Sequence, residues 1–249
     1  MLSPQERERY DRQMMLEGFG EAGQERLKKA KVFIAGAGGL GSPVSIYLAV
    51  AGVGQIHIVD KDVVELSNLN RQILHWDRDI RVEKAKSAQE KLSQLNPDTE
   101  VKSVVANIDD DTVLDLVGDC DLIVDAMDNY PTRYVLNRAA LAKGIPLCHG
   151  SIYGLEGMTT TIIPGQTPCL RCIFPQAPPP TKFPVVGVTP AVIGCIQATE
   201  VIKYLVGLGE LLANRLLIYD GWSLKFREVN IKRDPRCPDC SHLATPPSA

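Results

Sequence analysis

Two groups of residues are equipped for chemistry, one for phosphate and one for a metal ion. The first begins at Gly36-Ala37-Gly38-Gly39-Leu40-Gly41, a G-x-G-x-x-G run between an apolar stretch and a helical one. In that context the glycines let backbone approach a phosphate, and the N-terminus of the helix that follows favours negative charge. Asp60 closes the next apolar run, where a carboxylate can accept hydrogen bonds from both ribose hydroxyls. The loop alone also suits a nicotinamide or flavin oxidoreductase. Its sequel suits a triphosphate better. Asp60-Lys61-Asp62 is followed by Ser67-Asn68-Leu69-Asn70-Arg71-Gln72, and Lys84 opens the next helix. Arg71 offers a fork and Lys84 a point charge to phosphate oxygens. Asp125 and Asp128-Asn129 fall at the end of a further strand, the edge where such sheets bind ligands. Cations beside carboxylates fit a triphosphate with Mg2+. Each residue also has a plain structural use. Arg71 can pair with a loop acid, Lys84 can sit on a solvated helix face, and Asp128-Asn129 can cap the helix before Pro131.

The second group is Cys169-Leu170-Arg171-Cys172 and Cys237-Pro238-Asp239-Cys240, four of the seven cysteines. Thiolates three apart close on one ion, and two such pairs make a tetrahedral four-thiolate site with no position left for water, hence a structural zinc. A redox use is disfavoured, because neither pair starts a helix near the first strand–helix unit. Cys120, Cys148 and Cys195 stand alone and read as core, with Cys148 nearest the ligand edge. His57 and His149 have no partner that the sequence identifies.

These residues need a frame. The chain has 249 residues, 45% hydrophobic and 23% charged, which suits one large domain or two small ones. The net charge of −3 argues against general nucleic-acid coating. No apolar run is long enough to span a bilayer, and the polar start MLSPQERERYDRQ resembles no targeting segment, so a cytoplasmic location is expected. The pattern predicts short polar helices over 3–30, then strands at 31–35, 56–60, 101–105, 121–126 and 145–150. Helices are predicted at 38–52, 82–95, 110–117, 131–143 and 189–206. Alternating strands and helices indicate an α/β fold with a mostly parallel, doubly wound, Rossmann-like sheet. After residue 150, β-branched stretches suggest an extension by antiparallel strands. Residues 175–184 form a proline-dense loop beside the first cysteine pair.

In combination, the residues resemble the MoeB/ThiF/HesA adenylyltransferases, relatives of ubiquitin-activating enzymes, with molybdopterin-synthase adenylyltransferases as the nearest branch. The likeness covers about residues 3–242. It rests on Arg9-Tyr10-Asp11-Arg12-Gln13, the glycine loop, Asp60-Lys61-Asp62, residues 67–72, Lys84, Asp128-Asn129 and both cysteine pairs. The resemblance implies ATP-dependent adenylation of the C-terminal glycine of a small β-grasp, ubiquitin-like sulfur-carrier protein ending in Gly-Gly, in a molybdopterin, thiamine or related pathway. By resemblance, Asp128 holds Mg2+, Arg71 and Lys84 bind phosphates, Asp60 takes the ribose, and Gly39 lies against the nucleotide. Asn68 helps to fix nucleotide and phosphates, with Gly36, Gly38, Gly41, Asp62, Ser67 and Asn129 lining the same site. Arg12 reaches the other subunit's site, since the family is homodimeric. The implied organisation is a helical segment (1–30), an ATP-binding part (31–150), a carrier-binding and zinc part (151–242) and a disordered tail (243–249). Some relatives carry a cysteine after the first zinc pair. Here none lies between Cys172 and Cys195, and no sulfurtransferase domain follows, so the expected role is activation with a separate sulfur donor. Adenylation of a small-molecule or tRNA-linked carboxylate, NAD-dependent oxidation, and a zinc-stapled scaffold stay open at this point.

Overall fold

The computed structural model describes residues 1–179 and 183–243, and the predicted alternation resolves into one eight-stranded sheet. The strands are β1 (Lys31–Ala35), β2 (Gln55–Val59), β3 (Glu100–Val104), β4 (Leu122–Asp125), β5 (Leu147–Tyr153), β6 (Glu156–Ile162), β7 (Arg215–Asp220) and β8 (Lys225–Asn230). Their order is β3-β2-β1-β4-β5-β6-β7-β8. From β3 to β5 the pairs are parallel, and from β5 to β8 antiparallel, as the sequence suggested.

The helices are α1 (Pro4–Arg9), α2 (Asp11–Met14), α3 (Gly20–Lys29), α4 (Gly41–Val50), α5 (Lys84–Leu95), α6 (Val113–Val117), α7 (Tyr130–Lys143), α8 (Leu170–Ile173) and α9 (Val188–Val206). Period-two alternation in the strands feeds two cores. Val32, Ile34 and Ile56 pack under α4, α5 and α9 through Leu48, Leu92 and Val201. Phe33, Ile123 and Leu147 pack under α6, α7 and α8 through Val117, Leu136 and Leu170. Coverage of both faces explains why the central strands are apolar throughout. β8, at the edge, is exposed at every position.

Helix starts follow local capping. The predicted helix at 110–117 begins at Val113, because Asp109 and Thr112 form a closed turn: the Thr112 amide donates to Asp109 Oδ1 (3.0 Å) and the Asp109 amide to Thr112 Oγ1 (3.2 Å). The helix expected from Gly38 begins at Gly41, since residues 36–40 are consumed by the glycine turn. The division drawn at residue 150 falls inside β5, which runs on to Tyr153 and turns through Gly154 (φ 60°) into β6.

Of the tail expected to be disordered, Leu243 is held: its carbonyl accepts from Arg233 Nη2 (2.7 Å), while residues 244–249 lie outside the described residues. Pro180, Thr181 and Lys182 of the proline-dense loop also lie outside them. Among the described residues, no helix is long and apolar enough to cross a membrane.

Candidate active site

The chain runs from β1 outward to β2 and β3, then crosses back to β4 on the other side of β1. A crevice opens at the carboxyl ends of strands where the order reverses in this way. The glycine turn leaves β1 there. Gly36 has φ 98°, a left-handed conformation that glycine adopts without strain. A Cβ on Gly41 would lie 2.0 Å from the Gly36 carbonyl oxygen, and one on Gly36 would lie 2.9 Å from the Ala126 carbonyl oxygen at the end of β4. The tight packing of these backbones requires glycine at both positions. A Cβ on Gly38 would meet only Gln72 Nε2, at 3.7 Å, so this position faces open space. Gly39 lies against Pro190 of α9.

Asp60 follows β2 and ties the turn down. Its Oδ2 accepts from the Ala37 amide (2.8 Å) and its Oδ1 from the Asp62 amide (2.8 Å). Lys84 is the first residue of α5, and its amide donates to the Asp62 carbonyl (2.9 Å). Its side chain is buried, with Nζ 3.5 Å from the exposed Asp62 carboxylate. Arg71 is half-buried, and its Nη1 donates to the Ser67 carbonyl and to Asn70 Oδ1 (both 2.9 Å). Among the described residues it pairs with no loop acid. Asn68 is buried and caps its own short turn, its Oδ1 accepting from the Glu65 amide (3.1 Å). Ser67 Oγ points back to Glu65 (3.3 Å). Asn129 caps α7, with Oδ1 accepting from the Thr132 amide (2.9 Å), so its structural use is realised. Asp128 stays exposed at the crevice edge, where among the described residues its carboxylate accepts a hydrogen bond only from Asn129 Nδ2, at 3.4 Å.

The end of the proline-dense loop and the segment after it run over this edge. The Gly154 amide donates to the Pro184 carbonyl (2.8 Å), and Tyr153 stacks on Phe183 with centroids 6.4 Å apart. Gly187 then packs so closely on Asn70 that a Cβ would lie 2.3 Å from its carbonyl oxygen. Arg12 lies elsewhere. Its neighbour Gln13 donates to the Ala51 carbonyl (2.8 Å), just past the far end of α4, whose ten residues put about 15 Å between that point and the glycine turn. The Arg12 side chain is exposed on α2 and makes no ion pair among the described residues.

Two residues outside the sequence-derived set belong to the site. His75, buried, donates through Nε2 to the Ala37 carbonyl and accepts at Nδ1 from Ser87 Oγ (both 2.9 Å), a tautomer assigned from its partners. Burial, with Lys84 and Lys91 nearby, holds its pKa below the usual histidine value. Gln72 is buried beneath Gly38, and its Oε1 has no partner among the described residues. Gln72 belonged to the motif that carried the resemblance; His75 had no sequence signal at all.

The four paired cysteines converge. Their sulfurs all lie within 4.8 Å of one another, with neighbouring Sγ–Sγ distances of 3.5 to 3.8 Å. Tetrahedral thiolates at about 2.3 Å from a zinc ion would stand about 3.8 Å apart, so the cluster could hold a metal. Without a cation, burial pushes the Cys172 thiol up to about 11 and Cys169 higher still. Cys120 and Cys148 are core residues as expected, and burial pushes the Cys120 thiol up to about 12. Cys195 is not fully core: it is half-buried and lines a surface groove with Gln13, Tyr47 and Val50. A helix that is apolar on nearly every face gave no way to tell which face is covered.

The family model described as ThiF matches residues 10–239. The SAMP-activating enzyme E1 of Haloferax volcanii is 47% identical over 239 residues, covering 94% of this chain and 88% of that protein. The sulfur carrier protein adenylyltransferase of Thermus thermophilus is 44% identical over 252 residues, covering 97% and 93%. The Arabidopsis thaliana adenylyltransferase and sulfurtransferase MOCS3 is 42% identical; the match takes in 96% of this chain but only 53% of that protein. Among solved structures, E. coli MccB with ATP superposes with a TM-score of 0.83 at 27% identity, covering 93% of this chain and 74% of that one. With its glycine turn, the carboxylates and cations around it and the four-cysteine cluster in place, the chain belongs to the ThiF family.

Proposed function

We propose that the chain adenylates the C-terminal glycine carboxylate of a small ubiquitin-like sulfur-carrier protein, using ATP and releasing pyrophosphate. The observation that carries this reading is the gathering of Lys84, Arg71, Asp60 and Asp128 around a glycine turn at one switch point of the sheet. Family membership points the same way, as does the superposition on MccB with ATP. An oxidoreductase has no use for Lys84 and Arg71 beside Asp128.

A C-terminal carboxylate has a pKa near 3.3–3.7, so it arrives ionised and needs no general base. Its oxygen attacks the α-phosphorus. A carboxylate O–P bond forms, the bond to the β-phosphate oxygen breaks, and that electron pair leaves with pyrophosphate. The protein's task is then positioning and charge neutralisation. The glycine turn and the N-terminus of α4 take phosphate, while Lys84 and Arg71 neutralise the charge that grows on the leaving group. Asp60 takes the ribose: two of its roughly four acceptor sites take the amides of Ala37 and Asp62, which leaves room for hydroxyl donors. Asp128, exposed at the crevice edge and not engaged by backbone amides as Asp60 is, would hold Mg2+, which supplies further charge neutralisation at the phosphates. The Phe183–Pro190 segment crosses the path by which a carrier tail would enter.

The cysteine cluster would hold a structural zinc, since four thiolates leave no open position. A second copy of the chain is the expected partner at the groove between α2, α4 and α9. There a cavity of about 370 Å³ is lined by Gln13, Tyr47, Val50 and Cys195, and one of about 540 Å³ beside it is lined by Leu16, which is 61% exposed. With no cysteine between Cys172 and Cys195, the loop offers no thiol, and a separate donor supplies the sulfur.

The deciding experiment incubates the protein with Mg-ATP and a panel of Gly-Gly-ending carriers, reading released pyrophosphate and intact carrier mass. A carrier gaining one adenylyl group, lost in Asp128→Ala, is expected. ATP binding without pyrophosphate release across the whole panel would overturn the carrier reading.

A further inference from the structure

Directly beneath the crevice lies a buried polar cluster that the proposed mechanism does not use. The register of β4 on β5 sets Asp125 beside His149, and both side chains are fully buried. His149 Nδ1 donates to Asp125 Oδ2 at 2.7 Å. Arg133, on the second turn of α7, brings Nε to 3.7 Å from the same oxygen. This is not the arrangement that stability alone favours. Arg133 Nε and His149 Nε2 are buried without a hydrogen bond among the described residues, and a well-packed apolar cluster commonly matches or exceeds a buried charge network.

The cluster's outputs converge on one residue. Asp125 Oδ1 accepts from the Met127 amide (3.1 Å), and Arg133 Nη2 donates to the Met127 carbonyl (2.6 Å) and to the Gly150 carbonyl (3.2 Å). Both backbone polar groups of Met127 are therefore held from below. The next residue is Asp128, whose own side chain is exposed and, among the described residues, hydrogen-bonds only with Asn129. Met127 also reaches the glycine turn, its sulfur lying 3.4 Å from where a Gly36 Cβ would stand.

We propose that Asp125, His149 and Arg133 are positioning residues that fix the Met127 peptide, and through it the Asp128 carboxylate, against the nucleotide crevice. His149 orients Asp125, Asp125 and Arg133 clamp Met127, and Asp128 is presented with the long Asn129 contact as its one side-chain hydrogen bond among the described residues. The proposal rests on the reading of Asp128 as the carboxylate for the nucleotide's Mg2+. Groups that orient a metal ligand from behind commonly change metal affinity by about 10–100-fold when removed.

Calorimetric titration of the full chain with ATP in Mg2+, and with ATP in excess EDTA, separates the possibilities. His149→Leu should weaken Mg-ATP binding by about tenfold or more while leaving metal-free ATP binding within about twofold. His149→Asn, whose amide nitrogen takes the place of Nδ1, should restore most of the loss. Arg133→Lys keeps a charge beside Asp125 but loses the fork to Met127 and Gly150; it should act in the same direction as His149→Leu and serves if that variant does not fold. Equal weakening of both ATP forms, or of neither, while Asp128→Ala weakens Mg-ATP binding selectively, would overturn the relay. If Asp128→Ala itself binds both forms like the unmodified chain, the reading of Asp128 has failed, and the relay's purpose with it.

Discussion

Asp60 and His75 hold the glycine turn from two sides, one through the Ala37 amide and the other through the Ala37 carbonyl. Asp60 was legible in sequence because an acid closing the second strand has a known use. His75 was not, because its partners Ala37 and Ser87 come from different elements and carry no motif. Its burial gives a pH dependence with a definite sign. The folded pKa lies below the ordinary value of about 6.5, so the unfolded chain binds the proton more readily. Stability from a neutral His75 is fully present above about pH 6.5 and is lost as pH falls from there through the folded value. His149, also lowered by burial, acts with the same sign. The melting temperature should be level above pH 7 and fall between about pH 6.5 and 5, before most carboxylates titrate. His75→Gln can still donate to the Ala37 carbonyl but does not titrate, so its melting temperature should fall less steeply. Identical slopes in the two proteins would show that His75 is not a source of the acid sensitivity.

Helix α7 links the crevice to the cysteine cluster. Asn129 caps its first turn beside Asp128, and Asn137, fully buried two turns on, joins both cysteine pairs to it: Oδ1 accepts from the Leu170 amide (2.8 Å), and Nδ2 donates to Asp239 Oδ2 (2.9 Å). The sequence announced the four cysteines by spacing and the parallel half of the sheet by apolar runs, since both signals are local. It could not announce that Asn137 seats the cluster, that β4–β5 register pairs Asp125 with His149, or that Pro190 packs on Gly39. Those are properties of register and crossing, fixed only when distant segments meet. The clamp has a measurable consequence. One zinc per chain is expected, and it should be absent from Cys237→Ser. Its removal should release the segment after β8, so that trypsin cuts faster at Lys232, Arg233 and Arg236. For a chain of this size each 1 kcal/mol lost lowers the melting temperature by about 2–4 °C. Zinc-free protein with unchanged melting and unchanged cleavage would leave the cluster without a structural role.

At the scale of the whole molecule, the placement of Arg12 asks for a second chain. Every other residue assigned to the crevice stands at the carboxyl edge of β1, β2 or β4, or on a segment packed against that edge. Arg12 sits by the far end of α4, about 15 Å away along a helix that cannot bend to bring it round. It is exposed, and its neighbour Gln13 shares surface grooves with Leu16, Tyr47 and Val50, exposed apolar residues of the kind that self-association covers. In a two-fold dimer the same patch meets itself, so each chain would carry its Arg12 toward its partner. Complementation tests this. Arg12→Ala and Asp128→Ala should each be inactive alone. When the two are mixed and allowed to exchange, half the dimers are mixed, and one site in each has its own Asp128 and an intact Arg12 from the partner. About one quarter of all sites should then be active. If Arg12 serves its own chain, every site in every mixed dimer still lacks either Arg12 or Asp128, and no activity returns. The recovered fraction therefore separates the two arrangements, provided that subunit exchange is confirmed by native mass spectrometry of chains of different mass.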